Sequence, residues 1–187
     1  MKKIIKPLAA LVLCILTSVA CKQKATRTYS DYVYEDVALD MTSEDLMSTA
    51  VFSADAEKTG NIIASHSGIA AYSSAMQLNI PTEYIVAMLS EQTSLVDKVL
   101  ILGLEVAEDN IGYVLPDLIT LRNKYSETYG EGHPAILPET DFKNLEPGKD
   151  YTIHVWETDT LKVWLLLAKS NTGNIQWKVF FQKEEKK

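Results

Sequence analysis

The sequence predicts an α+β fold in one domain, with about four helices over roughly 43–128 followed by a three-stranded antiparallel meander over roughly 151–182. Three observations predict it. Between Thr42 and Gly130 apolar residues recur at three- and four-residue steps, the spacing of helix faces. From Tyr151 to Gln182 they alternate, the spacing of half-buried strands. Between the two blocks, residues 130–150 hold Gly130, Gly132, Pro134, Pro138, Pro147 and Gly148, a composition that suits a crossover between layers or a functional loop.

The first helix starts at Thr42, a capping residue with Asp45 three positions on, and places Leu46, Ala50 and Ala54 on one stripe before Gly60 breaks it. A second begins near Asn61 and carries Ile62, Ile69, Tyr72 and Met76 until Asn79 and Pro81 stop it. The third has the most regular spacing in the chain. From Pro81-Thr82-Glu83 it sets Ile85, Leu89, Gln92, Val96, Val99 and Gly103 on one seam, widened by Leu100, Leu102 and Leu104, and so reads as the central helix. The fourth follows Asp109 to Gly112, with Pro116 in its first turn, Leu118, Ile119, Leu121 and Tyr125 inward, and Gly130 beyond its end.

In the meander the odd-numbered residues are apolar: Tyr151, Ile153 and Val155; Leu161, Val163, Leu165 and Leu167; Ile175, Trp177, Val179 and Phe181. That face is expected to pack on the helices. Keeping odd residues opposite odd ones across Ser170 to Asn174 needs an odd loop, which Asn171-Thr172-Gly173 supplies, with glycine where positive φ is required. The same register sets Trp164 beside Phe180 and Leu166 beside Lys178 on the even face, with His154 and Trp156 on the next strand. Either a neighbouring segment covers this half-apolar face or it is a surface for a partner. Trp156, Trp164, Leu166 and Phe180 are the candidate partner-binding residues.

The first twenty residues read as an export signal: Lys2, Lys3 and Lys6, an apolar run from Leu8 to Leu16, then small residues up to Ala20. The run is too short for a spanning helix. This divides the chain into a signal at 1–20, a tether at 21–41 and a globular domain at 42–187. The tyrosines Tyr29, Tyr32 and Tyr34 leave two readings of the tether's end, a strand docked on the domain or a mobile spacer. Ser18-Val19-Ala20-Cys21 resembles the lipobox of bacterial lipoproteins, with Ser18 where leucine is commonest. The resemblance implies cleavage before Cys21, lipid on its sulfur and new amino group, and membrane attachment through that lipid. A plain secretory signal is the alternative. Cys14 lies inside the leader, so the mature chain keeps one cysteine and has no intramolecular disulfide to form.

The 187 residues carry 18 basic and 25 acidic side chains; losing the three leader lysines leaves 15 basic against 25 acidic, a balance of about −10. Such a surface repels phosphate backbones and anionic headgroups, so nucleic acid is not an expected partner and charge is not an expected membrane anchor. Lys22-Gln23-Lys24 after the lipidation site gives no acidic run for surface display, so the anchored chain is expected to face the periplasm, with the outer membrane as the expected location.

No G-x-S-x-G elbow, H-E-x-x-H, phosphate-binding glycine loop or CxxC pair occurs. The scattered histidines His66, His133 and His154 give no metal-ligand spacing, and no cofactor, metal or catalytic residue is assigned. The expected function is therefore protein binding by a lipid-anchored envelope protein, as an accessory or immunity-type factor, and not enzymatic turnover. Two alternatives remain: an envelope hydrolase using His133 and Glu131 in the 130–150 loop, or a small-ligand carrier with a cavity between sheet and helices.

Two shorter stretches carry resemblances. Met88-Leu89-Ser90-Glu91-Gln92-Thr93, continuing to Gly112-Tyr113-Val114-Leu115-Pro116, resembles part of the ferritin-like helical lipoproteins of unknown function. Glu91-Gln92 stands where that family has an acidic-histidine pair, so the resemblance implies helices and no metal site. Asn174-Ile175-Gln176-Trp177-Lys178-Val179 resembles the closing hairpin of small exported lipoproteins of the nuclear transport factor type, which implies topology only.

Overall fold

A computed structural model describes residues 29–134 and 145–184. The leader, Cys21 and the middle of the 130–150 loop lie outside the described residues. The architecture is a broad antiparallel sheet of eight strands, in the order β3-β4-β5-β6-β10-β9-β8-β7, with helices on one face. Its strands are β3 (Glu57–Thr59), β4 (Ile62–Ser65), β5 (Thr82–Leu89), β6 (Val96–Gly103), β7 (His133–Pro134), β8 (Lys149–Glu157), β9 (Leu161–Lys169) and β10 (Ile175–Lys183). A separate pair, β1 (Tyr32–Tyr34) and β2 (Val37–Ala38), precedes them.

This overturns the expectation of four helices with a three-stranded meander. The described helices are α1 (Ser43–Met47), α2 (Tyr72–Met76) and α3 (Ile111–Tyr129), and only α3 is long. The central helix expected over 81–107 is the hairpin β5–β6, paired Ile85 to Ile101 and Ala87 to Val99. Ile85, Ala87, Leu89, Val99 and Ile101 point into the core while Val86, Met88, Leu100 and Leu102 point away. Because both faces are apolar, the period of two is masked, and matches at three and four residues arise without a helix. The β-branched Ile85, Val86, Val96, Val99 and Ile101 favour the pleated form. Likewise the expected second helix opens as the hairpin β3–β4, with Gly60 at φ +59 in its two-residue turn, and becomes helical only at α2. Met88 to Thr93, the stretch with a helical-lipoprotein resemblance, ends β5 and enters the following turn.

The first helix is a single turn capped as its sequence dictates: Thr42 Oγ1 accepts from the Asp45 amide, and Leu46 is fully buried. Helix α3 buries Val114, Leu118, Leu121 and Tyr125, while Ile119, expected inward, is 53% exposed. The helix carries the chain from the centre of the sheet, at β6, to its far edge, from which β8, β9 and β10 return to pair with β6.

In β9 and β10 the odd-numbered residues form the inner face, and the loop carries Gly173 at φ +87. Strand β8 differs. A bulge between Thr152 and His154 switches its alternation, so that Tyr151 faces Leu167 but His154 faces Leu165 and Trp156 faces Val163. Trp156, expected on the second face, is instead fully buried under α3, its indole N–H donating to Ser126 Oγ at 3.1 Å.

One core lies between the inner face and the layer made by α2, α3 and residues 29–53. The span expected as tether contributes to it from Val33 onward, with Val37, Ala38, Leu39 and Met41 buried. Its aromatic centre joins Tyr34, Tyr72, Tyr125, Trp156, Trp177 and Phe181. The Tyr72 and Tyr125 hydroxyls hydrogen-bond each other, and burial pushes both phenols well above the ordinary tyrosine range. Asp117 on α3 is also fully buried. Its carboxylate accepts from the Asn79 amide and side chain and from the Ile80 amide, each at 2.8 Å, which ties α3 to the segment entering β5.

Candidate functional site

The outer face of the sheet follows from the strand register. Across six neighbouring strands, Ala64 on β4, Val86 on β5, Leu100 on β6, Phe180 on β10, Trp164 on β9 and Val155 on β8 stand side by side in one row. On one side of it runs a row with Tyr84, Leu102, Lys178, Leu166 and Thr152. On the other runs a row with Ile62, Met88, Lys98, Gln182, Lys162 and Glu157. Every member of the apolar row is half-buried, and at the margin Tyr84 is 40% and Ile62 48% exposed. On the inner face Ile85, Ile101, Val163, Leu165, Val179 and Phe181 are fully buried. Among the described residues no helix packs on the outer face.

At its centre the Trp164 and Phe180 rings lie 5.3 Å apart between centroids, tilted by 32°. The Lys162 ammonium sits 5.3 Å from the Trp164 centroid and pairs with Glu157. Lys178 pairs with Asp150 at 2.9 Å. The face is thus an apolar strip with paired charges at its borders. Trp164, Leu166 and Phe180 are brought together here; Trp156 is not, because of the β8 bulge. The sequence reading missed Tyr84, Val86, Leu100 and Leu102 by assigning them to a helix, and their alternation against Ile85, Ala87, Val99 and Ile101 was the signal that places them.

His133 and Glu131 lie exposed at the sheet edge, where His133 pairs with Val155 in the backbone ladder. The Glu131 carbonyl accepts from Nε2 of the buried His154 at 2.7 Å, so the backbone of Glu131, not its carboxylate, is engaged by a histidine. Residues 135–144 of that loop lie outside the described residues. Among the described residues no three His, Cys, Asp or Glu side chains are grouped to hold a metal.

Two clefts lined by described residues are at sheet ends and not between sheet and helices. One, about 700 Å³, adjoins the outer face along Ile62, Met88, Lys98 and Gln182 and is bordered beyond them by Glu91 and Glu184. The other, about 210 Å³, is bordered by Glu105, Asp150, Lys169, Asn171 and Lys178. Both are polar and open. No described helix is long and apolar enough to cross a membrane.

No protein-family model matches the chain, and neither a curated protein nor a solved structure matches it significantly.

Proposed function

We propose that this is a lipid-anchored bacterial envelope protein that acts by binding protein through the outer face of its sheet. The observation that carries the reading is the apolar row from Ala64 to Val155, centred on Trp164 and Phe180, on the side of the sheet away from α3. Tryptophan and arginine or tyrosine anchors dominate such interfaces, and half-buried aromatics on a rigid sheet lose little entropy on binding. The lipobox-like Ser18-Val19-Ala20-Cys21 supports the anchor, and Lys22-Gln23-Lys24 favours the periplasmic side of the outer membrane. Acidic excess over the whole chain argues against attachment through charge.

Two measurements test it. Mass spectrometry of the mature N-terminus is expected to find acylated Cys21; a bare N-terminus contradicts the anchor. In mild detergent, Trp164→Ala is expected to weaken complex formation at least tenfold while its melting temperature stays close to that of the wild type. An undiminished complex contradicts the assignment of the face.

A further inference from the structure

We infer that the protein seated on the outer sheet face is a second copy of this chain, in a two-fold dimer whose axis runs along the strands between β6 and β10. The inference rests on the binding role of that face and names its partner.

Side-chain size along the row favours this pairing. The row rises from small (Ala64, Val86) through Leu100 to large (Phe180, Trp164) and falls back to Val155 on β8, with the midpoint between Leu100 and Phe180. A two-fold axis along the strands at that midpoint sets Val86 of one copy against Trp164 of the other and Leu100 against Phe180, with the small Ala64 and Val155 meeting at the rim. Large side chains then fill the space left by small ones, as isologous interfaces require. An axis across the strands would instead set Trp164 on Trp164 and Ala64 on Ala64, with a clash at one end and a void at the other. Face-to-face sheets pack aligned at about −30°, so this pairing holds best near the axis, where the two large rings are.

Charge favours it as well. The chain as a whole has a net charge of −7, which makes two copies repel through most orientations. The three outer rows carry Lys98, Lys162 and Lys178 against Glu157, so this is a face without acidic excess. With the axis along the strands, Lys98 meets Gln182, Lys162 meets Met88 and Lys178 meets Leu102. No like charges are placed opposite one another.

The face is also large enough. Six strands about 4.8 Å apart and three rows about 6.8 Å apart cover roughly 600 Å² per copy. Two copies bury about 1,200 Å², the lower bound of stable, specific interfaces.

The test places a photo-crosslinking benzophenone amino acid at Leu166 of the full acylated chain and irradiates it in its own envelope. The expected product has twice the chain's mass, with the crosslink mapping near Tyr84. Val86→Trp, which sets two tryptophans against each other, is expected to lower the homodimer product at least tenfold, and the exchange Val86→Trp with Trp164→Val to restore it. A crosslink only to other proteins overturns the dimer and leaves the binding face standing. No crosslink at all overturns both. A homodimer product indifferent to Val86→Trp overturns the proposed pairing.

Discussion

The indole of Trp164 lies against the ring of Phe180 on the adjacent strand, 5.3 Å between centroids, on the sheet face opposite to that covered by α3. On the same β10 strand Trp177, Val179 and Phe181, at alternate positions, are completely buried. The core side chains and the proposed binding side chains therefore stand on opposite faces of one strand pair. Trp164→Ala is expected to cost less than about 1.5 kcal/mol, whereas Trp177→Ala leaves a core cavity and costs about 3–5 kcal/mol. Denaturant unfolding of the two variants checks the contrast; equal losses would place Trp164 in the core.

Asp117 predicts a second asymmetry, because its carboxylate satisfies three donors of Asn79 and Ile80 from a fully buried position on α3. Asp117→Ala strands those N–H groups and is expected to cost on the order of 3 kcal/mol or more. Asp117→Asn keeps one acceptor oxygen and should fall between it and the wild type. The check is the urea midpoint of each variant at a constant m-value.

Two glycines should respond in opposite directions. A Cβ on Gly68 would fall 1.6 Å from the Val51 carbonyl oxygen, a contact with backbone that no rotamer change relieves. Gly68→Ala is expected to destabilise by at least about 2 kcal/mol or to prevent folding. At Gly112, in the first turn of α3, a Cβ meets nothing within 4 Å. Gly112→Ala should raise stability by up to about 1 kcal/mol through helix propensity, read from thermal melts.

The tyrosine cluster sets the alkaline limit. Burial pushes Tyr34 and Tyr129 up to about 12, and the paired Tyr72 and Tyr125 above the ordinary range as well. An unfolded phenol ionises near pH 10, so between about pH 10 and 12 the folded chain holds more protons than the unfolded one. Stability from these groups is therefore complete below pH 10 and lost as pH rises through 12. Circular dichroism with tyrosinate absorbance should show unfolding and ionisation together. Removing one hydroxyl, by Tyr125→Phe, leaves that of Tyr72 unpaired; the Tyr72→Phe, Tyr125→Phe double variant should be no less stable than the single one and show a shallower alkaline decline.

Much of the closing sheet was legible in the sequence, since Trp164 pairs with Phe180 and Leu166 with Lys178 as the alternation and the odd loop before Asn174 require. α3 was legible too, because Leu118, Leu121 and Tyr125 bury at helical spacing and Gly130 ends it. The β5–β6 hairpin was not, because an apolar outer face at Val86, Leu100 and Leu102 removes the polar half of the alternation on which strand recognition depends. The same property that hid the strands makes them half of the candidate site. Nor was the β8 bulge legible: one extra residue near Ile153 reverses the facing of His154 and Trp156, and nothing in Thr152-Ile153-His154 announces it.

The most direct measurement is the accessibility of Leu166→Cys to a maleimide, read at that position by peptide mass spectrometry. Labelling in the intact envelope is compared with labelling of the detergent-purified chain diluted far below micromolar concentration. Occupation of the outer sheet face predicts that position 166 is protected in the envelope and reacts freely after dilution. Equal rates in the two conditions would contradict it.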